Sequence, residues 1–292
     1  MSFGGTPPGP ALPPWIRERK LRLGALHSVR TELAAGGLAT VCEEARCPNR
    51  SECFSRGTAT FLINGTVCTR SCRYCAVAHG RPAPLDPGEP QRVAETAERM
   101  GLEHVVVTSV DRDDLPDGGA GAFVRTIEAL RALPRPPTVE VLTPDFRGRI
   151  AEVDRILAAR PEVYNHNVET VPRLYRSVRP AGRYRWALEV LERVATRGGG
   201  SIPKSGLMVG LGETEEEVLA VFRDLANVGC RVVTVGQYLR PTTRQVPVAR
   251  YWPPEAFAEL KRRGRELGLE VIAGPFVRSS YRAAEAYRAL RD

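Results

Sequence analysis

From residue 58 onward the chain alternates two hydrophobic patterns. Short runs rich in β-branched residues predict strands at 58–63, 104–109, 138–142, 163–167, 205–209 and 231–236. Between them, apolar positions recur at helical spacing near 89–100, 119–133, 148–159, 183–197 and 214–228, with a sixth helix near 254–267. Gly101, Gly229 and Gly268 follow helical runs, where a C-terminal cap needs a residue free to turn left-handed. Thr214, with Glu217 three residues on, has the form of a capping box. Several strands are almost continuously apolar (HVVVTS, RVVTVG), which suits a parallel sheet covered by helices.

Repeated βα units joined by right-handed crossovers give an α/β fold, either an open doubly wound sheet or a barrel. Six units are too few for an eight-fold barrel, so the expectation is a partial (β/α)6 TIM-type barrel over 58–274. An N-terminal extension, 1–57, precedes it, and a C-terminal segment, 275–292, is expected to close the mouth. Polar, chemically capable residues follow strand after strand: Asp111-Arg-Asp-Asp, Thr143-Pro-Asp, Asn165-His-Asn-Val-Glu, and Gly236-Gln-Tyr-Leu-Arg. In a parallel barrel all of these converge on the C-terminal mouth.

Composition narrows the class. With 42% hydrophobic and 26% charged residues, and no apolar run near the eighteen or so that span a bilayer, the chain reads as soluble and without a membrane partner. The start, MSFGGTPPGPALPPW, lacks the basic and apolar regions of a signal peptide and reads as a flexible arm, so the cytoplasm is the expected location. The net charge of +8, from 42 basic against 34 acidic residues, fits either a solvated basic surface or a docking face for an acidic protein. No nucleic-acid module is visible, so no nucleic-acid partner is expected.

The cysteines carry the chemistry. Six of the seven form two triplets, Cys42, Cys47 and Cys53 (C-x4-C-x5-C) and Cys68, Cys72 and Cys75 (C-x3-C-x2-C). In a compartment where thiols stay reduced, such clustering favours metal over disulfides. Structural zinc wants four ligands, and only His79 lies near the second triplet, outside the usual pair spacing. Three thiolates instead suit a 4Fe–4S cube with one iron left open to another ligand. The spacing of the second triplet, with Tyr74 before its last cysteine, resembles the radical S-adenosylmethionine signature. The first triplet begins like a ferredoxin motif but continues with the wrong gap.

The words around the cysteines decide between these. CEEARCPNRSECFSRGTATFLINGTVCTRSCRYCAV is very similar to the paired-cluster segment of lipoyl synthases. The resemblance continues through VTSVDRDDLPDGGA, VEVLTPDFRG, NHNVETVPRLYRSVRP, KSGLMVGLGET, GQYLRPT and GPFVRSSYRA, from about residue 40 to 284. It implies a sulfurtransferase that uses S-adenosylmethionine and two 4Fe–4S clusters. The reaction inserts two sulfurs, at C6 and C8 of an octanoyl chain on a carrier-domain lysine. Cys68, Cys72 and Cys75 match the ligands of the cofactor-cleaving cluster. Cys42, Cys47, Cys53 and Ser280 match those of an auxiliary cluster that gives up sulfide. Without the resemblance, Ser279 and Ser280 would be read as capping a helix that begins near Tyr281.

The resemblance further implies that Asn167 and Glu169 hydrogen-bond the cofactor, with Tyr74, Asp111 and Arg112 nearby. Asp111, Arg112 and Asp113 equally suit an ion pair closing the mouth, and His166 a structural role. Lys204, Arg179 and Arg240 are candidates for carboxylate contacts, as cations at a barrel mouth. Gly210-Leu-Gly212 is a weak nucleotide signal, better read as a close backbone approach to adenine than as a dinucleotide fingerprint. Cys230 reads as a small buried residue. The implied partners are octanoylated carriers, namely the glycine cleavage H protein and 2-oxoacid dehydrogenase E2 domains, and an electron donor such as flavodoxin or ferredoxin. Phe54, Thr66 and Thr143 depart from the family pattern, and none is a proposed ligand.

Overall fold

Among the described residues ten strands form, and their alternation explains why the runs look so apolar. In chain order they are β1 (Ala39–Thr40), β2 (Thr60–Ile63), β3 (Val67–Cys68), β4 (Ala78–His79), β5 (His104–Ser109), β6 (Thr138–Leu142), β7 (Val163–Asn165), β8 (Ile202–Val209), β9 (Val232–Gln237) and β10 (Glu270–Gly274). The structure is a computed structural model that describes residues 10–17, 25–55 and 60–290. Residues 58 and 59 of the first expected strand, and the ends of both terminal segments, lie outside the described residues.

Eight strands make one sheet in the order β1-β2-β5-β6-β7-β8-β9-β10. Every pairing from β2 to β10 is parallel, and β1 adds antiparallel to β2. Consecutive parallel strands joined by helices are the right-handed βα succession that the hydrophobic pattern predicts. Glu270–Gly274 is a seventh parallel strand that the sequence reading passed over. It follows Gly268 (φ +77°), which ends the helix before it.

The helices form where expected, at Glu89–Arg99, Ala120–Arg131, Ile150–Ala158, Tyr184–Arg197, Glu215–Asn227 and Pro254–Glu266. Thr214 and Glu217 complete the capping box: the Thr214 hydroxyl accepts from Glu217 N, and the Glu217 carboxylate accepts from Thr214 N. Alternate strand residues, such as Val105, Val107, Val139 and Val141, or Leu207, Val233 and Val235, pack outward against these helices in two apolar clusters. The intervening residues, His104, Thr108, Glu140, Asn165, Lys204 and Thr234, belong to the opposite face. Most polar positions of the strands are thus collected inside the curved sheet.

Candidate active site

At the C-terminal ends of the strands lies a cavity of about 320 Å³ whose wall includes all six clustered cysteines, Asp111, His166, Asn167, Glu169, Arg179, Ser279 and Ser280. Cys42 sits on a one-turn helix, Val41–Glu44, whose N-terminus is capped by the Thr40 hydroxyl. Cys53 lies on the helix Arg50–Ser55, with its N–H donating to Asn49 O at 2.9 Å. Cys68 ends the short strand β3, and Cys75 N donates to Cys72 O at 3.0 Å, a tight turn that draws those two thiols together.

The cysteine loop is held from three sides. Arg73 N donates to Val178 O, Val246 N to Arg73 O, and Gln245 Nε2 to Cys75 O at 3.0 Å. Inside the loop, Arg70 is 4% exposed and is surrounded by carboxylates. It lies 2.7 Å from Asp113, 2.7 Å from Asp145 and 3.2 Å from Asp111. Arg179 approaches Asp145 at 3.4 Å and donates to Asn167 O at 3.2 Å. Burial alone would raise the Asp145 carboxyl, but the Arg70 hydrogen bond and the Arg179 charge hold it down to about 2. Asp111 and Glu169 go the other way. Burial raises both above the ordinary carboxylate range despite the nearby arginines.

The thiols are costly to ionise in the bare pocket. Burial pushes Cys42, Cys68 and Cys72 up to about 12 and Cys75 up to about 11, and neighbouring thiols of the same triplet add to the rise in Cys42, Cys72 and Cys75. With Cys47 and Cys53 in the same wall, the thiols are a donor set suited to a strongly cationic group, which would offset the cost at these four. Among the described residues, no three His, Cys, Asp or Glu side chains converge closely enough to hold a single ion.

Several buried polar atoms of this wall have no partner among the described residues, among them Ser109 Oγ, His166 Nε2 and Asn167 Oδ1. His166 is 1% exposed. Its Nδ1 lies 2.8 Å from Thr143 O, which can only accept, so Nδ1 carries the proton and Nε2 is left as an acceptor. Burial, then the charge of Arg179, lower its pKa to about 4. Asn167 Nδ2 donates to Glu169 Oε1 and to Ser279 Oγ, both at 3.2 Å. Gly206 makes room for this: a Cβ there would come within 2.8 Å of Asn167 Oδ1 and 2.5 Å of Thr234 Oγ1. Uncommitted buried acceptors of this kind fit a polar ligand such as S-adenosylmethionine.

Other sequence-derived candidates fall elsewhere. Lys204 is not in the cavity wall. It lies near the start of β8, at the opposite end of the barrel, with Nζ 2.8 Å from Glu140 Oε1 and 3.0 Å from Oε2, and both side chains are buried. Its strand begins three residues further back than expected, at Ile202, and this puts Lys204 in the base. Arg112 turns away from the cavity to pair with Asp114 at 2.9 Å and Asn64 O at 3.1 Å. Arg240 donates to Gln245 O and Thr243 O, bracing the loop that holds Cys75. The Gly210–Gly212 turn does not line the cavity; its amides donate to the buried Glu213 carboxylate, which also accepts from Trp252 Nε1. Cys230 is 4% exposed, its thiol 3.3 Å from Val232 O.

Ser279 and Ser280 cap no helix. The next helix is Ala283–Ala289, with Arg282 at its N-cap. The extensions instead meet over the mouth, where Asn49 Nδ2 donates to Phe276 O at 2.6 Å. Asp145, in the Thr143-Pro-Asp run, was expected at the mouth, but Arg70 and Asn49 were missed by sequence reasoning. Arg70 left a trace, a lone arginine between the first two cysteines of the second triplet.

Residues 63–225 match the family model described as the Radical SAM superfamily. Two solved structures share the architecture at low identity. Methylornithine synthase (PylB) aligns with a TM-score of 0.54 and 14% identity over 88% of this chain and 83% of its own. HydG, a maturase of the FeFe-hydrogenase, aligns with a TM-score of 0.56 and 15% identity over 86% and 73%. Fold and family model together define a radical S-adenosylmethionine enzyme. Relatives at much higher identity narrow it. The lipoyl synthase of Methylococcus capsulatus is 54% identical over 93% of this chain and 85% of its own length, and that of Nitratidesulfovibrio vulgaris strain DP4 is 52% identical over 97% and 95%. The chain belongs to the lipoyl synthase family.

Proposed function

We propose that the cavity is the site of sulfur insertion into a protein-bound octanoyl chain, with Cys68, Cys72 and Cys75 holding the cluster that meets S-adenosylmethionine and Cys42, Cys47, Cys53 and Ser280 holding the sulfur-donating cluster. The observation that carries this reading is the presence of both thiol triplets and Ser280 in one cavity wall. When bound, the first cluster supplies the electron that cleaves the cofactor to a 5′-deoxyadenosyl radical, and the second supplies sulfide.

The protein's own residues bind and orient. The Asp111 carboxylate, flanked by Arg70 and 3.6 Å from the Cys68 thiol, is placed to receive the cofactor's amino group. Arg179 supplies a buried positive charge for its carboxylate, with Tyr74 in the same wall. Asn167 and Glu169 offer donor and acceptor atoms to the ribose. Leu62, Leu142 and Met208 provide an apolar lining against which an octanoyl chain can lie without water.

The acceptor is an octanoylated lipoyl carrier, either the glycine cleavage H protein or a 2-oxoacid dehydrogenase E2 domain, and the net charge of +8 favours acidic carriers. A small cytoplasmic donor of the flavodoxin or ferredoxin type would supply electrons in a compartment where these thiols stay reduced. Among the described residues, no helix is long and apolar enough to cross a membrane. The test is mass spectrometry of an octanoyl-lysine peptide incubated with reconstituted protein, reductant and S-adenosylmethionine. A gain of two sulfurs supports the reading; 5′-deoxyadenosine with no sulfur gained sinks it.

A further inference from the structure

The C-terminal segment touches both ends of the barrel. Val277 crosses the bare Cα of Gly236 in β9 so closely that a Cβ at Gly236 would lie 2.0 Å from Val277 O. Ser279 and Ser280 then line the cavity. At Arg282 the chain turns through a left-handed conformation (φ +52°). From there the helix Ala283–Ala289 runs to the base, away from the mouth. Ala283, Ala286, Tyr287 and Leu290 lie against Val163, Ile202 and Val232, which begin three neighbouring strands, and leave a void of only about 10 Å³. The Tyr287 ring sits 5.8 Å from the His104 ring, and Arg288 pairs with Glu103 at 2.8 Å. The segment expected to close the mouth therefore also plugs the barrel from below.

The base is built to receive it. His104 hydrogen-bonds Thr138 Oγ1 at 2.7 Å, and its Nε2 lies 3.7 Å from the Glu140 carboxylate that Lys204 neutralises. The plug covers this ionic layer with apolar and aromatic surface. Only two residues separate Ser280 from the first residue of the helix, so the helix and Ser280 have little slack between them.

We infer that the helix Ala283–Ala289 is an anchor that positions Ser280, with Tyr287 and Leu290 as its positioning residues; this rests on the reading of Ser280 as a cluster ligand. At the mouth the segment is held by Asn49 on Phe276 O, by Asn167 on Ser279 Oγ and by the buried Val277; at the base the partly buried Tyr287 and Leu290 pack with Val163, Ile202 and Val232. Because Ser280 lies between these two attachments with two residues to spare, loosening the base frees Ser280.

The test is hydrogen exchange of the full chain, comparing wild type with Tyr287→Ala and with the milder Leu290→Ala. Expected is exchange faster by about tenfold or more across 277–282, including the Tyr281 amide that bonds Arg278 O, while the amides of β9 stay protected and report an intact barrel. Alongside it, sulfur inserted per 5′-deoxyadenosine formed should fall. Faster exchange confined to 283–290, with 277–282 unchanged in both variants, overturns the inference. Ser280→Ala separates the two readings. It leaves exchange at 277–282 slow, and if it also leaves sulfur insertion intact, the ligand reading fails independently of the anchor.

Discussion

The Tyr281 hydroxyl donates a 2.8 Å hydrogen bond to Glu52 Oε1, joining residues 229 positions apart. Burial, then the Glu52 charge, raises the phenol above its ordinary range, so the proton stays on Tyr281 and the bond keeps its direction. Glu52 immediately precedes Cys53, and Tyr281 immediately follows Ser280. The bond therefore ties the fourth proposed ligand of the auxiliary site to the third.

Tyr281→Phe keeps the ring and removes that bond, at a stability cost of about 1 kcal/mol. Formation of 5′-deoxyadenosine should be unchanged while sulfur insertion drops, because only the auxiliary side is disturbed. Quantifying both products in one reaction checks this. An equal fall in the two would show that the bond supports the whole mouth and not that site.

Cys42→Ala and Cys68→Ala should each lose about half of the protein's iron, since each triplet serves its own cluster. The consequences differ. Cys42→Ala still cleaves S-adenosylmethionine but inserts no sulfur, and Cys68→Ala does neither. Iron analysis with product assays tests the division; a Cys42→Ala protein that retains full sulfur insertion contradicts it.

His166 should be neutral throughout the working range. Its folded pKa of about 4 lies below the ordinary value of 6.5, in surroundings that include Arg179, Arg70 and Asp145. The unfolded chain therefore binds the extra proton first. Stability from this group is complete above about pH 6.5 and is lost as pH falls toward 4, by at most about 3 kcal/mol. In His166→Gln that component is absent, so the stability gap between the two proteins should shrink or reverse between pH 6.5 and 5. Unfolding midpoints across that range decide it, and parallel pH profiles would refute the assignment.

Removing one partner of the buried Lys204–Glu140 pair leaves the other charge stranded. Lys204→Ala should destabilise by about 3–5 kcal/mol, whereas Lys204→Met with Glu140→Leu should recover most of that loss. In whatever fraction folds, the affinity for S-adenosylmethionine should match wild type, because the pair lies at the far end of the barrel. A selective loss of cofactor binding, with stability intact, would return Lys204 to the mouth.

The legible parts of this chain were local. The 3.6-residue period and the short β-branched runs located the six barrel helices and most of the barrel strands, because each reflects burial within a single element. Cys68, Cys72 and Cys75 were legible because their spacing is itself a loop geometry. Lys204 was misplaced because its partner Glu140 is 64 residues away and a lysine reads as exposed when seen alone. The strand Glu270–Gly274 was missed because five residues beside a helix carry little periodicity; its pairing with β9 defines it. Ser280 shows the limit most clearly. Apart from the family resemblance of GPFVRSSYRA, nothing in its neighbourhood signals a ligand, and it reaches the cavity where Gly236 lets Val277 pass.

The meeting of the two extensions over the mouth has a consequence for biosynthesis. The three cysteines of the proposed auxiliary site are translated first, and the cofactor-site cysteines follow within a few dozen residues. Ser280 and the helix Ala283–Ala289 come far later in the chain. Until they are made, the barrel has no base cover and the proposed auxiliary site lacks its fourth ligand. Iron delivered before then would meet an open three-thiol site, so productive loading of the sulfur donor belongs after Ser280 has been translated.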